Sequence, residues 1–220
     1  NIPKDKLETV HIGVFPEDYE FTLPSVKQRN IGFVSRMCEE NGLDILIDAF
    51  IGLKKNPGFE DVRLILTGGS TGDDKKYLKR LKLKLRMSGL IRGIEFHEDF
   101  EAEGLRRFFK KVSVVSVPVR NGEAFGIYLL EAMASGIPVI QPALGAFPEI
   151  VNSAGGGEIF EPNTPAILSE VLKRLLSDPD NLDLLSKQAR KGVENNFHLK
   201  DQVEKMIRIY QRAASENNNN

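Results

Sequence analysis

PVRNGEAFGIYLLEAMASGIPVI, residues Pro118 to Ile140, is the stretch whose reading decides the fold. It reads strand, loop, helix, strand. The predicted helix, Ile127 to Ser135, is stopped by Gly136-Ile137-Pro138, because Gly suits a left-handed cap and Pro cannot continue a helix. Ile127, Leu130, Glu131 and Ala134 fall at i, i+3, i+4 and i+7, so Glu131 shares a face with apolar side chains and is the helix's one charge. A carboxylate buried without a partner is costly. Either that face meets a ligand, or it is a groove open to water in which Glu131 is merely solvated. The free N–H groups of Phe125, Gly126 and Ile127 would suit an anion, and Gly126 lets it come close to the backbone. Glu123, just upstream, can accept hydroxyl groups. Phosphate donors beside two hydroxyl-binding carboxylates suit a nucleotide sugar.

Outward from this stretch, strands and helices alternate, which predicts a parallel sheet covered on both faces. Upstream the expected elements are strand Ile31 to Ser35, a helix from Gly42 with Leu43, Leu46, Ile47, Phe50 and Ile51 as its apolar stripe, strand Val62 to Thr67, and helix Asp73 to Ser88. Strand Ile94 to His97, helix Glu103 to Lys111 and the buried strand Val112 to Pro118 follow. Downstream come strand Pro138 to Gln141, one helical turn at Phe147 to Val151, a turn at Gly155-Gly156-Gly157 and strand Glu158 to Phe160. Helices Pro165 to Ser177, Asn181 to Asn195 and Lys200 to Ala214 close the chain. The first thirty residues, with Pro3, Pro16 and Pro24, read as an irregular connector with one short strand, Thr9 to Phe15. The division is therefore connector 1–29, α/β domain 30–199, C-terminal helix 200–214 and polar tail 215–220.

A chain of 220 residues with 41% hydrophobic and 28% charged residues has the composition of an ordinary globular protein. A net charge of −1 argues against general nucleic-acid binding, and the basic side chains of the 73–88 helix read as a solvated face. The single cysteine, Cys38, excludes an internal disulfide framework. No apolar run approaches a membrane span, and no signal peptide opens the chain. His11, His97 and His198 lack metal-ligand spacing, so no metal is expected.

The segment from Glu123 to Ile140, EAFGIYLLEAMASGIPVI, resembles the E-x7-E signature of retaining GT-B glycosyltransferases, specifically glycosyltransferase family 4. IGFVSRMCEENGLDILIDAF upstream resembles that family's first strand and helix, and GAFPEIVNSAGGGEIFEPNTPAIL downstream its G-x-P-E-I segment. The resemblance implies a Rossmann-like α/β sheet with helices on both faces, the C-terminal, donor-binding domain of a GT-B fold. It implies sugar transfer from a nucleotide-sugar to an acceptor hydroxyl with retention of configuration, in carbohydrate biosynthesis, without cofactor or metal. The expected partners are the nucleotide-sugar and an N-terminal acceptor-binding domain absent from this stretch, so the chain alone is expected to be inactive. The expected location is the cytoplasm, with the membrane periphery open for a full-length protein.

By the same resemblance Arg36 would neutralise the diphosphate, and Glu123 with Ala124, Phe125, Gly126 and Ile127 would hold sugar and phosphate. Glu131 would take the ribose hydroxyls. Ser35, Gly68 and Gly69 join the donor site, and Phe100 the nucleotide base, in a segment running from His97. Thr67-Gly68-Gly69-Ser70-Thr71-Gly72 lacks the ending of a P-loop, and a plain turn is its alternative reading. The family's phosphate-binding lysine falls on Asn41, which carries no charge; either another cation substitutes, Arg120 being the nearest in sequence to the motif, or the donor differs, or activity is poor. That departure supports an alternative function, a non-catalytic nucleotide-sugar-binding or scaffold domain. A nicotinamide oxidoreductase is disfavoured, because no G-x-G-x-x-G follows the first strand.

Overall fold

Strand β1 (Asn30–Val34) is buried along its whole length, as a strand flanked on both edges and covered on both faces must be. In the computed structural model, which describes residues 3, 6–24, 28–97 and 100–217, it lies at the middle of a six-stranded sheet. The others are β2 (Arg63–Thr67), β3 (Ile94–His97), β4 (Val114–Val115), β5 (Val139–Pro142) and β6 (Gly157–Phe160). All pairs are parallel and the spatial order is β3-β2-β1-β4-β5-β6. Ile31 sits between Leu64 and Val114 in register.

Parallel neighbours need crossovers. Helices α1 (Leu43–Leu53), α2 (Lys75–Met87), α3 (Ala102–Lys111), α4 (Ile127–Ala134) and α5 (Phe147–Ala154) supply them in turn. Helices α6 (Pro165–Leu176), α7 (Pro179–Asn196) and α8 (Leu199–Asn217) follow the last strand. The stripe expected on α1 is present, with Leu43, Leu46, Ile47 and Phe50 buried, and α1 packs along α6. Helix α2 buries Tyr77, Leu81 and Leu85 and leaves its lysines exposed. Both α4 and α5 pack on α7. This is the expected Rossmann-like architecture.

Five local expectations are corrected. No strand forms over Thr9 to Phe15. Val14 alone makes a bridge, receiving the N–H of Leu199 (2.8 Å) and donating to the carbonyl of Phe197 (3.0 Å), so it is tied to the α7–α8 junction instead of to the sheet. The run Val112 to Pro118 is buried but pairs as strand only at Val114–Val115, because the N–H of Val117 goes to the side chain of Gln141 (3.2 Å). Helix α5 runs on to Ala154, where Gly155 caps it in the left-handed conformation. Helix α7 begins at Pro179, because the Asp178 side chain caps it at the N–H of Asn181 (3.0 Å). The C-terminal helix extends through Asn217, and the rest of the expected tail lies outside the described residues.

The connector lies against the C-terminal helices. Nη1 of Arg190, on α7, is within 2.7 to 2.9 Å of the carbonyls of Pro16, Tyr19 and Ala134, tying the connector to the last turn of α4.

Two glycines set how closely the loops at the carboxyl end of the sheet approach. Gly42 has φ +70°, and a Cβ on it would lie 1.9 Å from the Pro118 carbonyl oxygen. Gly68 has φ +107°, and its Cβ would lie 2.2 Å from the Ser35 carbonyl oxygen. A left-handed non-glycine residue costs roughly 1–2 kcal/mol before any overlap. Gly42→Ala is therefore expected to lose at least about 2 kcal/mol of stability, read as a lower urea midpoint with unchanged slope. A midpoint equal to wild type would show that the α1 loop moves freely off β4.

Candidate functional site

The loops that leave β1 and β2 border an open cavity of about 450 Å³. Ser35, Arg36, Gly68, Gly69, Ser70, Thr71 and Phe100 line it, over a floor that includes Val34 and Leu105. The two loops are tied by the N–H of Ser35 to the Thr67 carbonyl (3.2 Å) and of Met37 to the Gly69 carbonyl (2.9 Å). The Phe100 ring is exposed and stands over Gly69, whose absent Cβ would be 3.7 Å from it. Five of the residues expected from sequence thus meet in one cavity; of the His97 to Phe100 segment, residues 98 and 99 lie outside the described residues.

Arg36 does not sit free in this cavity. Its Nε and Nη2 donate to both oxygens of Asp74 (3.1 and 3.0 Å), and Nη2 also reaches Thr71 Oγ1 (3.0 Å). Asp74 further accepts the N–H (2.6 Å) and hydroxyl (2.9 Å) of Thr71, closing a capping box over Gly72–Asp74. The guanidinium, with those Thr71 donors, holds the Asp74 carboxyl down to about 2, and Asp74 in turn raises Arg36. The arrangement fixes one edge of the guanidinium and leaves the N–H groups of Nη1 for an anion. It also makes the pair nearly neutral. Asp74 was not among the expected site residues, although Thr71-Gly-Asp-Asp carries the S/T-x-x-D/E pattern that predicts such a box.

Asn41 lies beside the cavity and does not line it. Its Nδ2 donates to Ser35 Oγ (2.8 Å) and to the Arg36 carbonyl (3.0 Å), so it braces the loop that carries Arg36. Arg120, the candidate substitute cation, turns to Asp44 at the start of α1 and to the Glu39 carbonyl (3.0 Å). Its charge is taken up there, and the expectation that it serves the cavity is corrected.

The E-x7-E residues form a second part of the site, at the head of α4. Gly126 is its N-cap with φ +78°, and no described residue accepts from the N–H groups of Phe125, Gly126 or Ile127. Ile127 is exposed. Glu123 is half-buried and accepts the N–H of Ala124 (3.0 Å); its own carbonyl accepts the N–H of Ala146 (3.0 Å), pinning the loop to the start of α5. Tyr128 is partly buried, and its hydroxyl, shielded from solvent, finds no partner among the described residues. None of these side chains lines the cavity between β1 and β2.

Glu131 is not simply solvated, which corrects the solvated-groove alternative: the chain itself supplies one partner. Tyr19, from the connector, donates its hydroxyl to Glu131 Oε1 at 3.0 Å. Burial pushes the Glu131 carboxyl up, and the Tyr19 hydrogen bond offsets part of that rise. Nothing in the irregular stretch around Tyr19 signals this partner. Among the described residues no group of three or more His, Cys, Asp or Glu side chains is placed to hold a metal ion, and no helix is long and apolar enough to cross a membrane.

The profile of the family described as glycosyl transferases group 1 matches residues 15–192. The chain belongs to the group 1 glycosyltransferases. It is 26% identical over 226 residues to an uncharacterized glycosyltransferase of Methanocaldococcus jannaschii, an alignment covering 97% of this chain and 56% of that relative. The C-terminal domain of a glycosyl transferase group 1 family protein from Francisella tularensis superposes with a TM-score of 0.74 at 24% identity, covering 85% of this chain and all of that one. Anabaena HepE, solved with UDP and glucose, superposes with a TM-score of 0.81 at 20% identity, covering 93% of this chain and 56% of that one. The group 1 chain described here thus spans about half the length of the relatives from Methanocaldococcus jannaschii and Anabaena, and shares the Rossmann-like fold of GT-B glycosyltransferases.

The raised carboxyl of Glu131 has a stability consequence. A group whose folded pKa lies above its unfolded value favours folding at low pH and loses that contribution as pH rises through the folded pKa. Glu131→Gln, which cannot ionise, is therefore expected to melt at a higher temperature than wild type at pH 7.5. The gain should vanish once pH falls below the ordinary carboxylate range. Thermal unfolding across pH 3.5 to 8 checks this; a variant less stable than wild type at neutral pH would contradict the assignment of burial as the dominant cause.

Proposed function

We propose that this chain is the donor-binding half of a retaining family 4 glycosyltransferase, which moves a sugar from a nucleotide-sugar to an acceptor hydroxyl. The observation that carries the reading is the cavity of Arg36, Gly68, Gly69 and Phe100, set beside the unpartnered N–H groups that open α4, in a chain of this family. Open parallel sheets take ligands at this edge, where the strand order reverses between β1 and β4. Because a fold relative was solved with UDP and glucose, a uridine diphosphate sugar is the first donor to test.

In this reading the nucleotide base lies against Phe100, and the Gly68-Gly69 turn lets the ligand approach the backbone. Nη1 of Arg36 and the N–H groups of Phe125, Gly126 and Ile127 take the phosphates and the sugar, with Glu123 accepting a sugar hydroxyl. Glu131 takes the ribose hydroxyls. Ser35 and Asn41 hold the Arg36 loop in place. Arg36 stabilises the charge that grows on the departing diphosphate, and the remaining rate comes from holding donor and acceptor in register. No metal or cofactor enters the scheme, and the acceptor is supplied by a separate N-terminal domain.

One observation favours a second reading, a nucleotide-sugar-binding domain with little or no turnover. The site is short of positive charge, since Asn41 stands where the family resemblance places a lysine, Arg36 is paired with Asp74 and Arg120 with Asp44.

Calorimetric titration with uridine, guanosine and adenosine diphosphates and their sugars is expected to give saturable binding with UDP tightest, while transfer assays on this chain alone give no turnover. Failure of every nucleotide to bind would sink both readings; multiple turnovers by this chain alone would remove the need for a second domain. Asn41→Lys is expected to tighten UDP by about 1–2 kcal/mol at low salt and less at high salt, with UMP gaining less. No change at any ionic strength would place position 41 away from the phosphates.

A further inference from the structure

We propose that Tyr19 of the connector is a positioning residue for the donor ribose, acting through Glu131; this rests on the donor-site reading above. Glu131 has one described donor, the Tyr19 hydroxyl on Oε1, and Oε2 has none. An ionised carboxylate offers about four lone-pair sites. Tyr19 occupies one of them, fixes the plane of the group, and leaves the others to accept a pair of neighbouring hydroxyls.

The tyrosine is itself held in place. The carbonyl of Tyr19 is bound by Arg190 Nη1 from α7 (2.9 Å), and the preceding carbonyl, of Asp18, by Arg106 Nε from α3 (3.0 Å). The N–H of Tyr19 donates to the Pro16 carbonyl (3.0 Å), closing the short helical turn Pro16–Asp18. Arg190 also binds the Ala134 carbonyl (2.7 Å), three residues along α4 from Glu131. Backbone of the connector and backbone of α4 are thus joined through one guanidinium, and their side chains through the Tyr19–Glu131 hydrogen bond. Two arginines from separate helices fix the peptide on which Tyr19 stands. A ring that only filled space would need no hydroxyl at that point.

The consequence is a division of labour in which Glu131 contacts the ribose and the connector sets its orientation. A phenylalanine at position 19 keeps the ring and removes only the donor, so the variant is expected to stay folded and to melt slightly below wild type at neutral pH, by the hydrogen bond lost to Glu131. Wild type and Tyr19→Phe should be titrated with UDP and with 2′,3′-dideoxy-UDP, which lacks both hydroxyls. Wild type is expected to prefer UDP. Tyr19→Phe is expected to lose about five- to tenfold of its UDP affinity, leave dideoxy-UDP unchanged, and so shrink the ribose preference. In a Glu131→Ala background, which has no acceptor at position 131, the same substitution should change nothing. Equal weakening of both nucleotides, an unchanged ribose preference, or an undiminished effect beside Glu131→Ala would overturn the proposal and leave the donor site standing. A wild-type chain that binds UDP and dideoxy-UDP alike overturns it as well, while one that takes up no nucleotide removes the donor-site reading beneath it.

Discussion

Every neighbouring pair of strands in this sheet is parallel, and that requirement organises the molecule. Each connection must cross back over a face, so every loop that follows a strand opens at the same edge. With β1 and β4 adjacent, the crossovers that leave them run in opposite directions, toward β2 and toward β5, and the loops part where the order reverses. The cavity of Arg36, Gly68 and Phe100 and the open head of α4 both lie at that edge because of it. Gly42 and Gly68 then bring the loops to within a distance no side chain would permit. The opening follows from backbone geometry; the chemistry is added by a few side chains.

Those side chains make a site low in net charge. A diphosphate brings at least two negative charges, yet each cation near the cavity is already matched. Asp74 takes one edge of Arg36, and Asp44 takes Arg120. What remains for an anion is directional instead of coulombic: the free edge of one guanidinium and three backbone N–H groups. Directional donors fixed in advance lose little on binding and act best when water is excluded. Arg36 is about half exposed as the chain stands, so such a site gains most if a second domain closes over it.

The regular part of the fold was legible because burial imposes period and length. The stripe Leu43, Leu46, Ile47, Phe50 on α1 and the apolar run of β2 can each be read locally, and the site positions at strand ends follow from the order of elements. Val112 to Val119 shows where that reasoning stops. The run is buried throughout, yet beyond Ser116 its N–H groups leave the neighbouring strands, that of Val117 going to the side chain of Gln141, and burial alone does not reveal pairing. The connector was the least legible. Tyr19 and Glu131 are 112 residues apart, in a segment without periodicity, and nothing local announces the contact. Asp74 differs from it, since its capping pattern stood in the sequence and its pairing with Arg36 needed the fold.

The two carboxylates of the E-x7-E stretch show why spacing identifies a site without assigning its roles. Glu123 sits on a loop pinned by its own carbonyl to the start of α5, and its side chain accepts from the next residue's N–H. It is oriented locally and can answer to whatever enters the head of α4. Glu131 lies one helical turn inside α4, is pushed up by burial, and takes its one described hydrogen bond from a distant segment. Its charge is therefore supported from outside the motif. The same connector brings His11 onto Glu149 (2.8 Å) and near the Phe125 ring (6.3 Å between ring centres), so it touches both ends of the second half of the site. A segment held by Arg190 and Arg106 cannot shift without disturbing the group that Glu131 presents. Orientation of this half-buried carboxylate is thus a property of the connector as much as of the helix that carries it.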